Sequence, residues 1–523
     1  MLTIEQSPGI RDHSPAVASA FFRKEKWSVG VLLALATAQL LWKLGQNSLA
    51  NWDESEYAQI AREMLLSGDF LTPNWGFKPK FHQPPLYVWF TVGFFKLVGI
   101  NEFGARLASA LSGIVLTLVT YFTGKLVFDK KIAFVGCLIL LTSFGFVDNA
   151  RFGTTDTMLA LFIYLALYTF LLINKKGAWL WLISCLFMAL AVMTKSAGGL
   201  LAPMIIFSLL LLEGRLPGFL LTKQFWLGIL LFLAIILPWP IYMIRTHGQA
   251  FINDFFFYHI LNRSANALEG NKGDNFFYIY QLGHRFYPWL YTVPFALAFF
   301  IKELLHRRTQ ALPLFVTAVL VFTLFTLVKT KLYWYVVPLY PALSLLVAAV
   351  LTEAIRTVDS VNFGTLTAMV LLAFLDVKLK AVGVVCFSVF IITIYVWQKR
   401  KPMYYISVAL FLFSILMAQY KLKQLFSPDI DEVSVLASRH AGPQTEKAKT
   451  LLLYKGIDWP AALFYSNQNI KQVETPQQVK SYLTESRGRV MILAKKDAGH
   501  LASYFAIHTI SSTNQYLLIE IKK

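Results

Sequence analysis

Five consecutive residues, Asp53, Glu54, Ser55, Glu56 and Tyr57, place three carboxylates just after the first long apolar run of the chain. Carboxylates at a membrane border are costly to desolvate and are kept for ion paths, proton transfer or catalysis. Asp53 can act as a general base or orient a nucleophile; it can equally cap the helix-like run that follows it, a position Asp favours. A second acid, Asp156, follows Thr154 and Thr155 at the start of another apolar run. Capping by a carboxylate at a helix N-terminus is the plain alternative there too. Two such carboxylates at one membrane face can bracket an acceptor hydroxyl or share a hard divalent ion such as magnesium. His82 and His259 would add nitrogen donors and move that preference towards zinc or manganese. No tight metal-ligand spacing occurs, so a metal set of Asp53, Asp156, His82 and His259 is one reading and a metal-free site the other.

Three further groups carry polar chemistry. His82 and Gln83 precede Pro84 and Pro85, which fix an extended turn, and Tyr87 and Trp89 follow; a solvated loop histidine is the alternative for His82. His259 and Arg263 are four residues apart and share one face if that loop is helical. Lys329, Lys331 and Tyr335 lie between two apolar runs. A lipid-borne phosphate needs such donors at head-group depth, while snorkelling to the interface explains a single lysine as well.

The elements that position these residues are membrane helices. The 523 residues are 56% hydrophobic and only 15% charged, where soluble domains carry about 25%. The net charge of +19 comes from Lys and Arg in short loops between apolar runs, a topology signal rather than a nucleic-acid one; the expected surface partner is the lipid bilayer. Cys137, Cys185 and Cys386 all lie inside apolar runs and form no disulfide or zinc pattern. Apolar stretches recur near 27–44, 85–99, 104–127, 131–149, 155–173, 177–194, 199–213, 225–245, 287–304, 311–328, 332–353, 361–376, 379–397 and 402–420. If 85–99 lies in the interface, the basic loops at Lys130–Lys131, Lys175–Lys176, Arg307–Arg308 and Lys399–Lys401 all share the cytoplasmic side with the N-terminal tail 1–26. The expected fold is therefore a polytopic α-helical membrane protein of about 13 transmembrane helices with 85–99 juxtamembrane. The first helix, from Trp27, is expected to stay uncleaved, since no small-residue cleavage site follows it.

This topology gathers the outer loop 45–103, the 154–156 turn, the loop 246–286 and the 329–331 turn on one face of the transmembrane domain 27–424. Segment 425–523 differs in composition and is expected to form a small α/β domain on that same face, with strands at 449–454, 489–494 and 515–521 and a capped helix from Thr475 to about Glu485. It lacks a Gly-rich phosphate loop, and no chemistry is assigned to it.

In order, Asp53-Glu54 with Tyr57, the Pro84-Pro85-Leu86-Tyr87 turn with Trp89, Thr155-Asp156, and Lys331 to Tyr335 with Pro338 resemble the motifs of the GT-C membrane glycosyltransferases. The pattern is similar to that of the aminoarabinose-to-lipid A transferases and the protein O-mannosyltransferases, and covers most of 27–420. The resemblance implies a GT-C fold and a sugar donor carried on a polyprenyl monophosphate. It also implies inverting transfer to lipid A, a glycan or a protein at the periplasmic face of a bacterial inner membrane. It makes Asp53 the catalytic carboxylate and Asp156 the second acid. Glu54, Tyr57, His82, Gln83, His259, Arg263, Lys329, Lys331 and Tyr335 become substrate contacts, with Arg263, Lys331 and Tyr335 on the lipid phosphate. Two positions depart from the aminoarabinose transferases: His82-Gln83 replaces Glu-Lys, and Glu56 replaces an Arg. Both remove positive charge near the donor. A transporter or lipid flippase is the alternative of another class; its midplane site and inverted repeats are not visible in this hydropathy order.

Overall fold

The computed structural model describes residues 25–267, 270–287, 289–306, 310–357, 429–439, 450–485 and 490–522. The apolar stretches at 361–376, 379–397 and 402–420, with Cys386, lie outside the described residues.

Helix α1 (Glu25–Leu41) leads into the first loop, which folds as α2 (Asp53–Ser67), a hairpin of β1 (Asn74–Trp75) and β2 (Lys78–Pro79), and α3 (Leu86–Val98). The hairpin is tied back to α2 by Glu63, which accepts from the amides of Gly76 and Phe77, both at 2.9 Å. Pro84 and Pro85 end the extended segment, and α3 starts at once. At 13 residues α3 is too short to span a bilayer.

Next come α4 (Glu102–Val127), α5 (Lys130–Thr142), α6 (Phe144–Arg151), α7 (Asp156–Lys176), α8 (Leu180–Gly199) and α9 (Leu201–Leu212). Local chemistry sets their starts. Asn101 accepts from the Gly104 amide at 2.8 Å, and Asp129 from those of Lys131 and Ile132. Helices α5 and α6 meet at a 67° bend. Among the described residues, four helices are long and apolar enough to cross a membrane: α4, α7, α8 and Lys223–His247. The bent pair makes a fifth if it is one span. Helix α7 is central, with 83% of its apolar window buried, whereas Lys223–His247 has 17% and turns its leucines outward. Small residues let neighbours close in: a Cβ at Gly124 or Gly136 would lie 2.5 or 2.7 Å from Leu345.

Past a π-helix (Ile252–Asn262), α10 (Phe277–Arg285), α11 (Val293–Leu305) and α12 (Leu312–Leu327), a 3-10 turn (Tyr333–Val336) precedes α13 (Leu339–Thr357). The last part of the chain holds α14 (Glu432–Arg439), β3 (Thr450–Tyr454), α15 (Pro460–Ser466), β4 (Asn469–Val473), α16 (Pro476–Glu485), β5 (Val490–Ala494), α17 (Lys495–Ala502), β6 (Ala506–Ser512) and β7 (Tyr516–Lys522). The sheet order is β4-β3-β5-β7-β6, with β3 parallel to both neighbours and β7 antiparallel to both of its own. Thr475 and Gln478 form the expected reciprocal cap of α16.

This α/β unit sits on the first loop. Trp459 stacks on Trp75 at 4.6 Å. The Tyr465 hydroxyl donates to Glu102 at 2.8 Å and accepts from the Leu49 amide at 2.9 Å. Asn51 accepts from the Ala461 amide at 3.0 Å.

Candidate active site

The segment entering α2 turns sharply. Trp52 has φ +70°, a conformation side chains rarely adopt, and lies half exposed. Strain of this kind collects at functional sites. Helix α2 then begins at Asp53, one residue past the cap position, which Trp52 fills without a side-chain bond. Burial, then the neighbouring Glu56 carboxylate, push the Asp53 carboxyl up to about 6, with Lys195 and Arg263 opposing.

Glu54 points the other way. It is fully buried and accepts from Arg106 Nε and Nη2 at 2.7 and 2.8 Å, from the Ala50 amide at 2.9 Å and from the Gly153 amide at 2.8 Å. Arg106 gives its other hydrogens to the carbonyls of Leu44, Asn47 and Ser48. Expected from sequence as a substrate contact, Glu54 instead has its lone pairs filled by protein. It joins α2 to α4 and to the turn before Asp156, and so sets one acid against the other. Tyr57 contributes to the same seam. Its ring meets Tyr87 edge-on at 5.5 Å. The Tyr87 hydroxyl lies 2.9 Å from Ser109 Oγ, which donates to the Thr154 carbonyl at 2.8 Å.

Asp156 is the first residue of α7, after Thr155 at the cap position. One of its oxygens lies 2.6 Å from Lys195 Nζ. Lys195 reaches it because α8 breaks there, with φ −150° at Lys195 and +27° at Ser196. The same Nζ sits 5.0 Å from the centre of the Tyr335 ring, and Ser196 Oγ donates to Gln83 Oε1 at 3.3 Å. Sequence reasoning missed Lys195. The available signal was a lysine between the 177–194 and 199–213 runs, on the side that the expected topology makes outer and against its charge bias.

His82 is held between opposite charges. Its Nδ1 is 3.4 Å from Glu56 Oε1 and its Nε2 2.8 Å from Arg263 Nη1. The neutral ring with the proton on Nδ1 satisfies both partners. Burial, then Arg263, hold its basicity well below the ordinary histidine value. The His259 ring stacks on it at 4.2 Å, so His259 from the π-helix and Arg263 from the turn that follows it both meet His82. Such helices are frequent at functional sites. Tyr335 pairs its hydroxyl with Arg263.

The lysine pair after α12 differs from expectation. Lys331 is buried, with its Nζ donating to the carbonyls of Phe325 (3.0 Å) and Thr326. It completes the C-terminal end of α12, where a cation is favoured, and leaves no fork for a phosphate; Lys329 is exposed. A further group escaped the sequence reading: Arg285 donates to Asp148 at 2.8 Å and lies 3.5 Å over the Tyr333 ring.

The four residues of the metal reading are not gathered as one donor set. Among the described residues, no group of three or more His, Cys, Asp or Glu is placed to hold one. His82 Nε2 faces a guanidinium and Asp156 an ammonium. Both partners compete with a cation for those atoms.

A family model described as dolichyl-phosphate-mannose-protein mannosyltransferase matches residues 82–242. An uncharacterized protein of Aquifex aeolicus is 30% identical over 355 residues, covering 66% of this chain and 69% of that protein. The undecaprenyl phosphate-alpha-4-amino-4-deoxy-L-arabinose arabinosyl transferase of Pseudomonas aeruginosa is 26% identical over 381 residues, 68% of this chain and 66% of that protein. The fold is that of ArnT from Cupriavidus metallidurans bound to undecaprenyl phosphate, with a TM-score of 0.69 at 21% identity over 95% of this chain and 98% of that one. Sequence and fold agree with the motifs at Asp53, Pro84, Asp156 and Tyr335: the chain has the GT-C fold of membrane glycosyltransferases and is similar in sequence to the lipid A aminoarabinose transferases and protein O-mannosyltransferases.

Proposed function

We propose that this protein transfers a sugar from a polyprenyl-phosphate donor to a hydroxyl or phosphate of lipid A, a glycan or a protein. The proposed setting is the outer face of a bacterial inner membrane, with about 13 spans placing Asp53 there. The observation that carries the reading is the partly buried Asp53 carboxylate beside Lys195, Arg263 and Tyr335. The transferase names of the relatives weigh in the same direction and against a transporter or flippase.

For a hydroxyl acceptor, Asp53 takes the proton as the oxygen bonds the anomeric carbon, and the bond from that carbon to the phosphate oxygen breaks with inversion. The polyprenyl phosphate leaves as a monoester and needs no protonating acid, so one carboxylate suffices where glycosidases use two. Charge growing on that leaving group is met by Arg263 and by Lys195, which takes the part expected of Lys331. Asp156 holds Lys195 in place, and Glu54 holds Asp156 against Asp53. His82, neutral between Glu56 and Arg263, orients the guanidinium.

The test is release of polyprenyl phosphate from a panel of polyprenyl-phosphate sugars by detergent-purified protein, wild type beside Asp53→Asn, with candidate acceptors added. Acceptor-dependent release by wild type alone is the expected result. Equal release by the Asn variant removes Asp53 from the mechanism.

A further inference from the structure

The α/β unit contains a crevice that the transfer chemistry does not use. The chain leaves β3 through α15 to β4 on one side, then crosses through α16 to β5 on the other. In open α/β sheets the connections diverge at such a point, and ligands bind in the gap outside the carboxyl ends of the strands. Here the gap falls between β3 and β5. The segments that follow those strands, Lys455 to Asp458 and Ala494 to Asp497, line a cavity of about 460 Å³. That volume lies inside the roughly 300–1,000 Å³ range of small-molecule sites. Asn51 closes it from the first loop, two residues before Asp53.

The walls define the ligand. Helix α17 opens into the crevice, and a helix N-terminus ordinarily favours an anion. Asp497 already occupies its first turn and pairs with Lys455 at 3.1 Å. Asp431, Asp458 and Asp497 outnumber Lys455 and Lys496 among the lining charges, so a phosphate or nucleotide finds no excess of positive charge. Asp431 is engaged with Ser434. The Asn51 side-chain NH2, Asp458 and Lys496 therefore offer donors and acceptors around the half-buried ring of Tyr516, the Asn51 oxygen being held by the Ala461 amide. A hydroxyl-rich, uncharged ligand with one apolar C–H face matches that set: a sugar ring laid on Tyr516.

We infer that this crevice seats the saccharide portion of the acceptor and delivers it past Asn51 and Trp52 to Asp53. The inference rests on the transferase reading and names its acceptor as a glycan.

Saturation-transfer NMR on the full chain in detergent tests it, with maltotriose, mannotriose and N,N′-diacetylchitobiose as probes and undecaprenyl phosphate binding measured alongside. At least one glycan binds wild type; Tyr516→Ala and Asp458→Asn each weaken it about tenfold, while Tyr516→Phe keeps the ring and the affinity. Undecaprenyl phosphate binding stays unchanged in all three variants, which also reports that they fold. No glycan signal, or a signal indifferent to both Tyr516→Ala and Asp458→Asn, overturns the saccharide seat. Loss of undecaprenyl phosphate binding by wild type overturns the transferase reading instead, whatever the glycans do.

Discussion

Lys195 Nζ lies 2.6 Å from Asp156 Oδ1, across two helices whose sequence positions differ by 39 residues. The contact exists because α8 is broken where Lys195 stands, so that an otherwise apolar helix delivers one ammonium to the acidic end of α7. The pair explains how the Asp156 carboxylate is held in the interior. It also explains how a positive charge reaches the Tyr335 ring while Lys331 is turned to backbone carbonyls.

Removing that ammonium should stop chemistry more than binding. Lys195→Met is expected to lower polyprenyl phosphate release about 100-fold or more, as losing one preorganised transition-state donor does. Lys195→Arg keeps the charge and recovers part of the rate. Single-turnover release under saturating donor measures it. A fall in donor affinity alone, with the rate at saturation intact, would place Lys195 in ground-state binding only.

The pH dependence follows from Asp53. A base must be ionised, so kcat/KM should rise with pH and level off above about 6, the value to which burial and Glu56 push this carboxyl. Glu56→Gln removes a negative neighbour and shifts the rise to lower pH. The linkage has the opposite sign for stability. A carboxyl whose folded pKa is raised binds its proton more tightly in the folded state, so the fold loses stability as pH climbs from near 4 towards 6. Asp53→Asn is therefore expected to be inactive yet at least as heat-resistant as wild type at pH 7.5, read by fluorescence-monitored unfolding. An inactive variant that melts well below wild type would mean that Asp53 holds structure.

Where function depends on charge in an unusual place, the sequence was easy to read. Asp53 stands out because it follows an apolar run, and His259 and Arg263 because they are spaced for one face; both reach His82. What the sequence hid is direction. Glu54 and Glu56 are two residues apart and look alike, yet one faces Arg106 in the interior and the other faces His82. Lys195 and Lys331 both follow apolar runs, and only a helix break brings one of them to Asp156. The crevice between β3 and β5 was out of reach for another reason: it comes from strand order, and strands β4 and β6 carry too little apolar alternation to be seen.

The surroundings of His82 predict turnover without a metal. Its Nε2 accepts from Arg263 and its Nδ1 donates to Glu56, so a metal would have to displace a guanidinium. Activity is expected to survive exhaustive dialysis against EDTA and 1,10-phenanthroline unchanged. Arg263→Met frees His82 Nε2 and leaves it beside His259, so this variant alone should gain zinc affinity, measured by calorimetry. Loss of wild-type turnover on chelation, restored by one added ion, would reinstate a metal.

The buried pair of Glu54 and Arg106 gives the sharpest separation between scaffold and chemistry. Four hydrogen bonds end on Glu54 and three more leave Arg106 for carbonyls of the loop entering α2. Glu54→Ala leaves the guanidinium in the interior with its charge unanswered, a change that costs about 3–5 kcal/mol. Glu54→Leu combined with Arg106→Met removes both charges and should cost less than the two single changes together. The expected result is a large fall in the unfolding temperature of Glu54→Ala, partial recovery in the double variant, and low activity in both because Asp53 and Asp156 lose their fixed spacing. A Glu54→Ala protein that melts like wild type but fails to bind donor would return Glu54 to the substrate, where its place beside Asp53 in the sequence first put it.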